Sequence, residues 1–300
     1  MKNYQPFAVT ATGSSHTKYG KECQDHSYHH RLEDPKIIAV SVADGHGDDN
    51  CFRSKKGAVF ASVFGIKGMC DFIKSYEAEF EKENEERNKE VARKFIQHII
   101  ANWQVKVEED YTKYPFKEEE LAKASEKYRK RYESGESLNR AYGTTLIASA
   151  ITEHYWLGIH IGDGRFTVLY PDGSFDQPIP WDDRCFLNIV TSICDDDAFE
   201  RARVRFFPIT PENPPPVAIF LCSDGVDDNY PVEENEKHLY NLYKTIALAF
   251  AEDGFESTCE QLKALAGKFA TEGKGDDTSI AGFIDMEELK KVKSIWDGEK

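Results

Sequence analysis

The chain carries seven cysteines (Cys23, Cys51, Cys70, Cys185, Cys194, Cys222 and Cys259) but no C-x-x-C pair. An odd number without paired spacing speaks against a disulfide framework and for reduced, buried thiols in a cytoplasm. Few histidines or thiols stand at metal-ligand spacing, which disfavours zinc hydrolysis. No apolar run approaches the ~20 residues that a membrane-spanning helix needs. The opening stretch, MKNYQPFAVTATGSSH, has no apolar signal core, so a cytoplasmic location without membrane contact is expected. Positive charge is short as well: 38 Lys and Arg stand against 53 Asp and Glu, a formal net charge of −15. Such a chain repels phosphate backbones and anionic lipid, which sets nucleic-acid binding aside. The phosphate-loop pattern G-x-x-x-x-G-K-[ST] does not occur, and there is no internal repeat.

What is present suits a globular protein. With 300 residues and 40% hydrophobic residues, the chain can build a core without disulfide or metal staples. Strands are expected at Phe7–Thr12, Ile37–Ala43, Thr144–Thr152, Tyr155–Ile161, Arg165–Tyr170, Val217–Cys222 and Thr278–Ile284. Small residues at helical spacing (Ser54, Gly57, Ala58, Ala61) predict a helix over 50–66 that packs close to a sheet. Residues 71–132 read as charged helix, with Val91, Phe95, Ile99, Trp103 and Val107 recurring every four residues. A break is expected near Asn84–Asn88, and a separate helix over Lys117–Tyr132 ends at Ser134-Gly135. The proline-rich stretch 176–216 reads as irregular, and helices follow at about 236–252, 256–270 and 286–296. Without a regular βαβ rhythm, an α+β fold with antiparallel sheets is favoured over a doubly wound parallel sheet.

The informative pattern is that acids stand where apolar strands stop. Asp44 follows IIAVSVA and opens Asp-Gly-His-Gly; Asp163 follows His160-Ile161-Gly162; Asp224 follows VAIFLCS; Asp276 and Asp277 precede TSIAGFI; Asp25 precedes Ser27-Tyr28. One Asp-Gly after a strand is ordinarily a turn. Several on separate strands read better as carboxylates held on rigid platforms, whose repulsion divalent cations would relieve. Beside such a cluster, His46 becomes a candidate general acid.

In this order the pieces resemble the metal-dependent protein serine/threonine phosphatases of type 2C, in a bacterial-like branch: Gln24-Asp25, Ala43-Asp44-Gly45-His46-Gly47, Tyr142-Gly143-Thr144-Thr145, Gly162-Asp163-Gly164-Arg165, Ser223-Asp224-Gly225 and Gly275-Asp276-Asp277-Thr278-Ser279. The resemblance implies one domain over residues 1–300, with two antiparallel β-sheets packed as a sandwich and flanked by helices on both sides. The region 71–132 would be an enlarged helical element, and 176–216 a flap beside the cleft. It implies two, or with a weaker site three, Mg²⁺ or Mn²⁺ ions. Asp44 would bridge two of them, the Gly45 carbonyl would bind one, Asp224 and Asp276 would hold the other, and Asp163 would serve the third. Asp25 would orient the attacking water and His46 would protonate the leaving oxygen. Gln24, Thr144 and Asp277 would support the ligands.

The pattern departs from the family at Gln24, where many members have Glu, and at Gly20, where many carry a phosphate-gripping arginine. His16, Lys18 and Lys21 are the substitutes that the sequence offers for that arginine. The activity implied is hydrolysis of phosphoserine and phosphothreonine in proteins. Its alternatives are a small-molecule phosphatase, or a weakly active or inactive regulatory module on the same fold. Oligomeric state carries no motif.

Overall fold

The computed structural model describes residues 3–76, 85–185, 189–231 and 234–298. Among these described residues ten strands form two antiparallel five-stranded sheets. The first has the order β1 (Tyr4–Ala11), β10 (Thr278–Asp285), β9 (Ala218–Cys222), β6 (Arg165–Leu169), β7 (Phe175–Asp176). The second has the order β2 (His26–Glu33), β3 (Lys36–Ala43), β4 (Leu146–Ile151), β5 (Tyr155–Ile161), β8 (Arg203–Pro208).

The continuous apolar runs are explained by burial on both faces, because side chains alternate across a strand. In β3, Ile38, Val40 and Val42 enter the layer between the sheets with Ile219, Leu221 and Phe283. Ile37, Ala39 and Ala43 face the other way, into a helix-covered core. In β9, Ile219 and Leu221 face inward while Ala218, Phe220 and Cys222 meet the helices of the opposite outer layer. Each large side chain so buried contributes about 1.5–3 kcal/mol.

The helices are α1 (Ser14–Lys18), α2 (Ser54–Val59), α3 (Gly65–Tyr76), α4 (Glu85–Lys113), α5 (Glu118–Leu121), α6 (Glu126–Glu133), α7 (Ala198–Arg201), α8 (Asp224–Asp227), α9 (Asn235–Asp253), α10 (Phe255–Glu272) and α11 (Met286–Gly298). Helices α2 and α3 run together through a π turn at Phe60–Phe64, so the helix expected over 50–66 does not stop there. Gly57 allows the close approach read from the sequence: a Cβ there would stand 1.8 Å from the Tyr142 carbonyl oxygen. The four-residue stripe of α4 is buried from Val91 to Val107 against the β3 side. On the other outer face, α9 buries Leu239, Tyr243, Ile246, Ala247 and Phe250, and α10 buries Leu262, Ala266 and Ala270. Among the described residues no helix is long and apolar enough to cross a membrane.

Three strands differ from the sequence expectation. β2, β7 and β8 were not marked by apolar runs, and β8 lies inside the stretch expected to be irregular. All three are edge strands, which need one hydrogen-bonded neighbour and keep much of their surface in water. β2 accordingly alternates between half-buried and exposed residues. The single helix expected over Lys117–Tyr132 is two, α5 and α6, because Ser125 is extended between them and donates from its N–H and Oγ to Asn50 Oδ1, each at 2.9 Å. Of the break expected at 84–88, residue 84 lies outside the described residues and α4 is already helical from Glu85.

Candidate metal centre

Strand register gathers the acids at one end of the sandwich. Ala43 pairs with His26, which puts Asp44 beside Asp25. Leu146 pairs with Ile161, which brings Thr144-Thr145 next to the Asp163 turn. Cys222 pairs with both Arg165 and Ile280, so Asp163, Asp224 and Asp276 leave neighbouring strands at the same level.

Asp44 is fixed by its backbone. Its N–H donates to Thr145 Oγ1 (2.9 Å), and its carbonyl accepts from Thr145 N–H (2.8 Å) and Thr144 Oγ1 (2.8 Å). Thr144 therefore acts on the main chain of Asp44 rather than on a carboxylate. His46 N–H donates to the Gly143 carbonyl at 3.1 Å, which extends the clasp. Asp277 is buried and ties the N-terminal segment to the site. Its carboxylate accepts from Gly13 N–H (2.7 Å) and Gln24 N–H (2.6 Å), and it lies 2.8 Å from His16 Nδ1. Gly225 lets the two acid-bearing loops touch, since a Cβ there would stand 1.9 Å from the Asp277 carbonyl oxygen. The Asp163 turn is held from the 176–216 stretch, where Trp181 Nε1 donates to the Asp163 carbonyl (2.9 Å).

One cleft of about 480 Å³ collects His16, Gln24, Asp44, Gly45, His46, Gly47, Asp48, Arg140, Asp163, Val190, Asp224 and Asp276. Within it Asp44, Asp163 and Asp224 each offer a carboxylate oxygen within 4.8 Å of the others. Asp276 lines the same cleft, more exposed, at its rim. Burial, followed by repulsion from Asp224, Asp25, Asp163 and Asp276, pushes Asp44 well above the usual carboxylate range. Burial and then Asp163, Asp276 and Asp25 do the same to Asp224. Burial lifts Asp163 to about 6, with Asp228 and Asp276 adding. Asp25 is buried behind the cleft against Ser223 and Ser279, and burial lifts it to about 7. Burial, then the Arg140 guanidinium, pushes His46 down to about 4, so its ring is neutral at neutral pH.

This donor set fits a hard divalent cation. It is all oxygen, its carboxylates repel one another, and Gln24 Oε1 is buried with no hydrogen-bond partner in a residue that lines the cleft. Gln24 is held for that position, its Nε2 donating to Ser54 Oγ at 2.6 Å.

Of the phosphate-binding candidates, His16 lines the cleft and Lys18 and Lys21 do not. Lys18 is exposed, with its amine over the Tyr19 ring, and Lys21 lines a neighbouring cleft with Gly20 and Lys55. Arg140, Asp48, Val190 and Trp181 were not marked in the sequence. Asp48 follows the Asp-Gly-His-Gly element directly. Arg140 stands three residues before Gly143, a spacing that carries no motif.

The sequence profile of the protein phosphatase 2C family matches residues 12–265. No curated protein matches the sequence significantly. Among solved structures, a sex-determining protein of C. elegans is 13% identical with a TM-score of 0.56, covering 99% of this chain and 67% of its own. A bacterial serine phosphatase is 15% identical with a TM-score of 0.52, covering 95% and 98%. The serine/threonine phosphatase PstP/Ppp of Mycobacterium tuberculosis is 13% identical with a TM-score of 0.50, covering 94% and 98%. At these identities the likeness is one of fold.

Proposed function

The chain belongs to the protein phosphatase 2C family, and from that premise we propose that it hydrolyses phosphoserine and phosphothreonine in proteins with the help of divalent cations, Mg²⁺ or Mn²⁺. The observation that carries this reading is the approach of Asp44, Asp163 and Asp224 to within 4.8 Å in one open cleft. A fold that merely bound a partner would have no use for carboxylates that repel at strand ends. Asp44, the Gly45 carbonyl, Asp224, Asp276 and Asp163 would hold the cations. When bound, such cations lower the pKa of water to near neutrality and neutralise charge on phosphoryl oxygens.

The chain's own residues do the rest. Asp25, whose carboxyl lies against Asp44, Ser223 and Ser279, orients the attacking water. Gln24 orients that water through its free Oε1. His46, neutral and seated over Gly143, hydrogen-bonds the leaving oxygen. Asp277 and the Gly143–Thr145 clasp keep these groups in place.

The test is hydrolysis of p-nitrophenyl phosphate and a phosphothreonine peptide in EDTA, Mg²⁺ or Mn²⁺, with Asp44→Ala and Asp224→Ala alongside. Metal-dependent turnover that falls at least about a thousandfold in both variants is expected. A folded wild-type protein that binds metal but turns over neither substrate would overturn the reading.

A further inference from the structure

We propose that Arg140 is the substrate-binding residue for the phosphoryl group, gripping its oxygens within the cleft that it lines together with the carboxylates. The inference rests on the phosphatase reading. Among the described residues that line the metal cleft, Arg140 is the one arginine or lysine. Its guanidinium is only loosely held. Nη1 stands 3.8 Å from Asp195 and Nη2 3.9 Å from Asp48, both beyond hydrogen-bond reach. Among the described residues its one hydrogen bond is a weak contact to Cys194 Sγ at 4.0 Å, and Nε is buried with no partner. The group rests over the Tyr128 ring at 5.8 Å.

Arg140 is half-buried, and the two arginines that are buried among the described residues are committed. Arg53 holds Glu120 at 2.7 and 2.8 Å, and Arg165 holds Asp227 at 2.7 Å. A guanidinium with unspent donors beside a carboxylate cluster suits a dianionic, tetrahedral oxyanion, which it can meet with two parallel bonds.

The backbone is built to aim it. Arg140 lies in the 3₁₀ turn Leu138–Tyr142, entered through Ser137 in the left-handed region (φ 57°). Its carbonyl accepts from Gly143 N–H at 3.1 Å, so it is tied to the same clasp that holds Asp44 and His46. Neither position 20 nor Lys18 or Lys21 lines this cleft.

The test is calorimetric titration of inorganic phosphate into the Mn²⁺-loaded protein, beside steady-state kinetics on p-nitrophenyl phosphate. Arg140→Ala is expected to weaken phosphate binding and raise KM about ten- to a hundredfold, while Mn²⁺ affinity and melting temperature stay near wild type. Arg140→Lys should recover part of the loss. Asp48→Asn, which removes from the cleft a negative charge 3.9 Å from Nη2 that repels phosphate, should tighten phosphate severalfold, and it tests the idea even if Arg140→Ala does not fold. Phosphate binding and KM within twofold of wild type in Arg140→Ala would overturn the inference, as would no tightening in Asp48→Asn. If Arg140→Ala abolishes the phosphate binding of a wild type that hydrolyses neither substrate, the phosphatase reading falls and the phosphate grip of Arg140 stands without it.

Discussion

Two regions of the molecule bury several charges each, and they do it in opposite ways. Around Arg53 every charge has a counter-charge from the protein. Arg53 grips Glu120 with two bonds, reaches Asp110 at 3.3 Å, and donates to the Tyr114 carbonyl and the Tyr142 hydroxyl at 2.7 Å. Lys56 contacts both oxygens of Asp110 at 2.9 Å. Although burial pushes Glu120 up, the Arg53 guanidinium holds it below its usual range. This knot ties α4 and α5 to the start of α2. In the cleft stand Asp44, Asp163 and Asp224, with Asp25 buried behind them, and burial and repulsion push all four up. The first arrangement is complete as folded. The second has no counter-charge of this kind among the described residues, and in the function proposed cations from solution supply it. Buried carboxylates are therefore not one class of feature: whether the protein supplies the counter-charge separates an internal strut from a binding site.

The sharpest way to break the comparison is to remove one charge from each region. Arg53→Ala leaves Glu120 and Asp110 short of a partner and is expected to cost about 3–5 kcal/mol, lowering the melting temperature by roughly 10 °C. Turnover per folded molecule should change little. Asp44→Asn should do the reverse. In EDTA its melting temperature should equal or exceed that of the wild type, while the rise on adding Mn²⁺ disappears. Thermal denaturation of both variants with and without metal decides this.

A smaller effect sharpens the same contrast through pH. Asp25 has a folded value of about 7 against an ordinary 3.8, so the fold favours its protonated form. The stability that this contributes is present in full below about pH 4 and is lost as pH rises through about 7. In EDTA, the melting temperature of the wild type should fall relative to Asp25→Asn over that window. Saturating Mn²⁺ should remove the difference in slope, because the cation then favours the ionised carboxylates.

The smallest effect concerns the clasp. Thr144→Val keeps the shape but removes the hydroxyl that donates to the Asp44 carbonyl at 2.8 Å. A loss of about 1 kcal/mol is expected, with a few-fold weaker Mn²⁺ affinity by titration. Thr144→Ser should restore both.

The sequence by itself determined the central strands and the identity of the acids. Strands buried on both faces are mostly apolar, so β3, β4, β5, β9 and β10 announce themselves. A carboxylate that follows such a run is stationed at its end. The stripes of α4, α9 and α10 were legible for the same reason, since one face of each is buried. Edge strands have no such requirement, which is why β2, β7 and β8 carried no signal. Tertiary structure alone decided the rest, through contacts between residues far apart in the chain. Asn50 splits α5 from α6 by meeting Ser125. The 3₁₀ turn brings Arg140 into a cleft otherwise marked by Asp-Gly pairs, and strand register sets which carboxylates lie within 4.8 Å. Periodicity reports whether a residue is buried. It does not report which distant residue it is buried against, and the chemistry of this cleft depends on that.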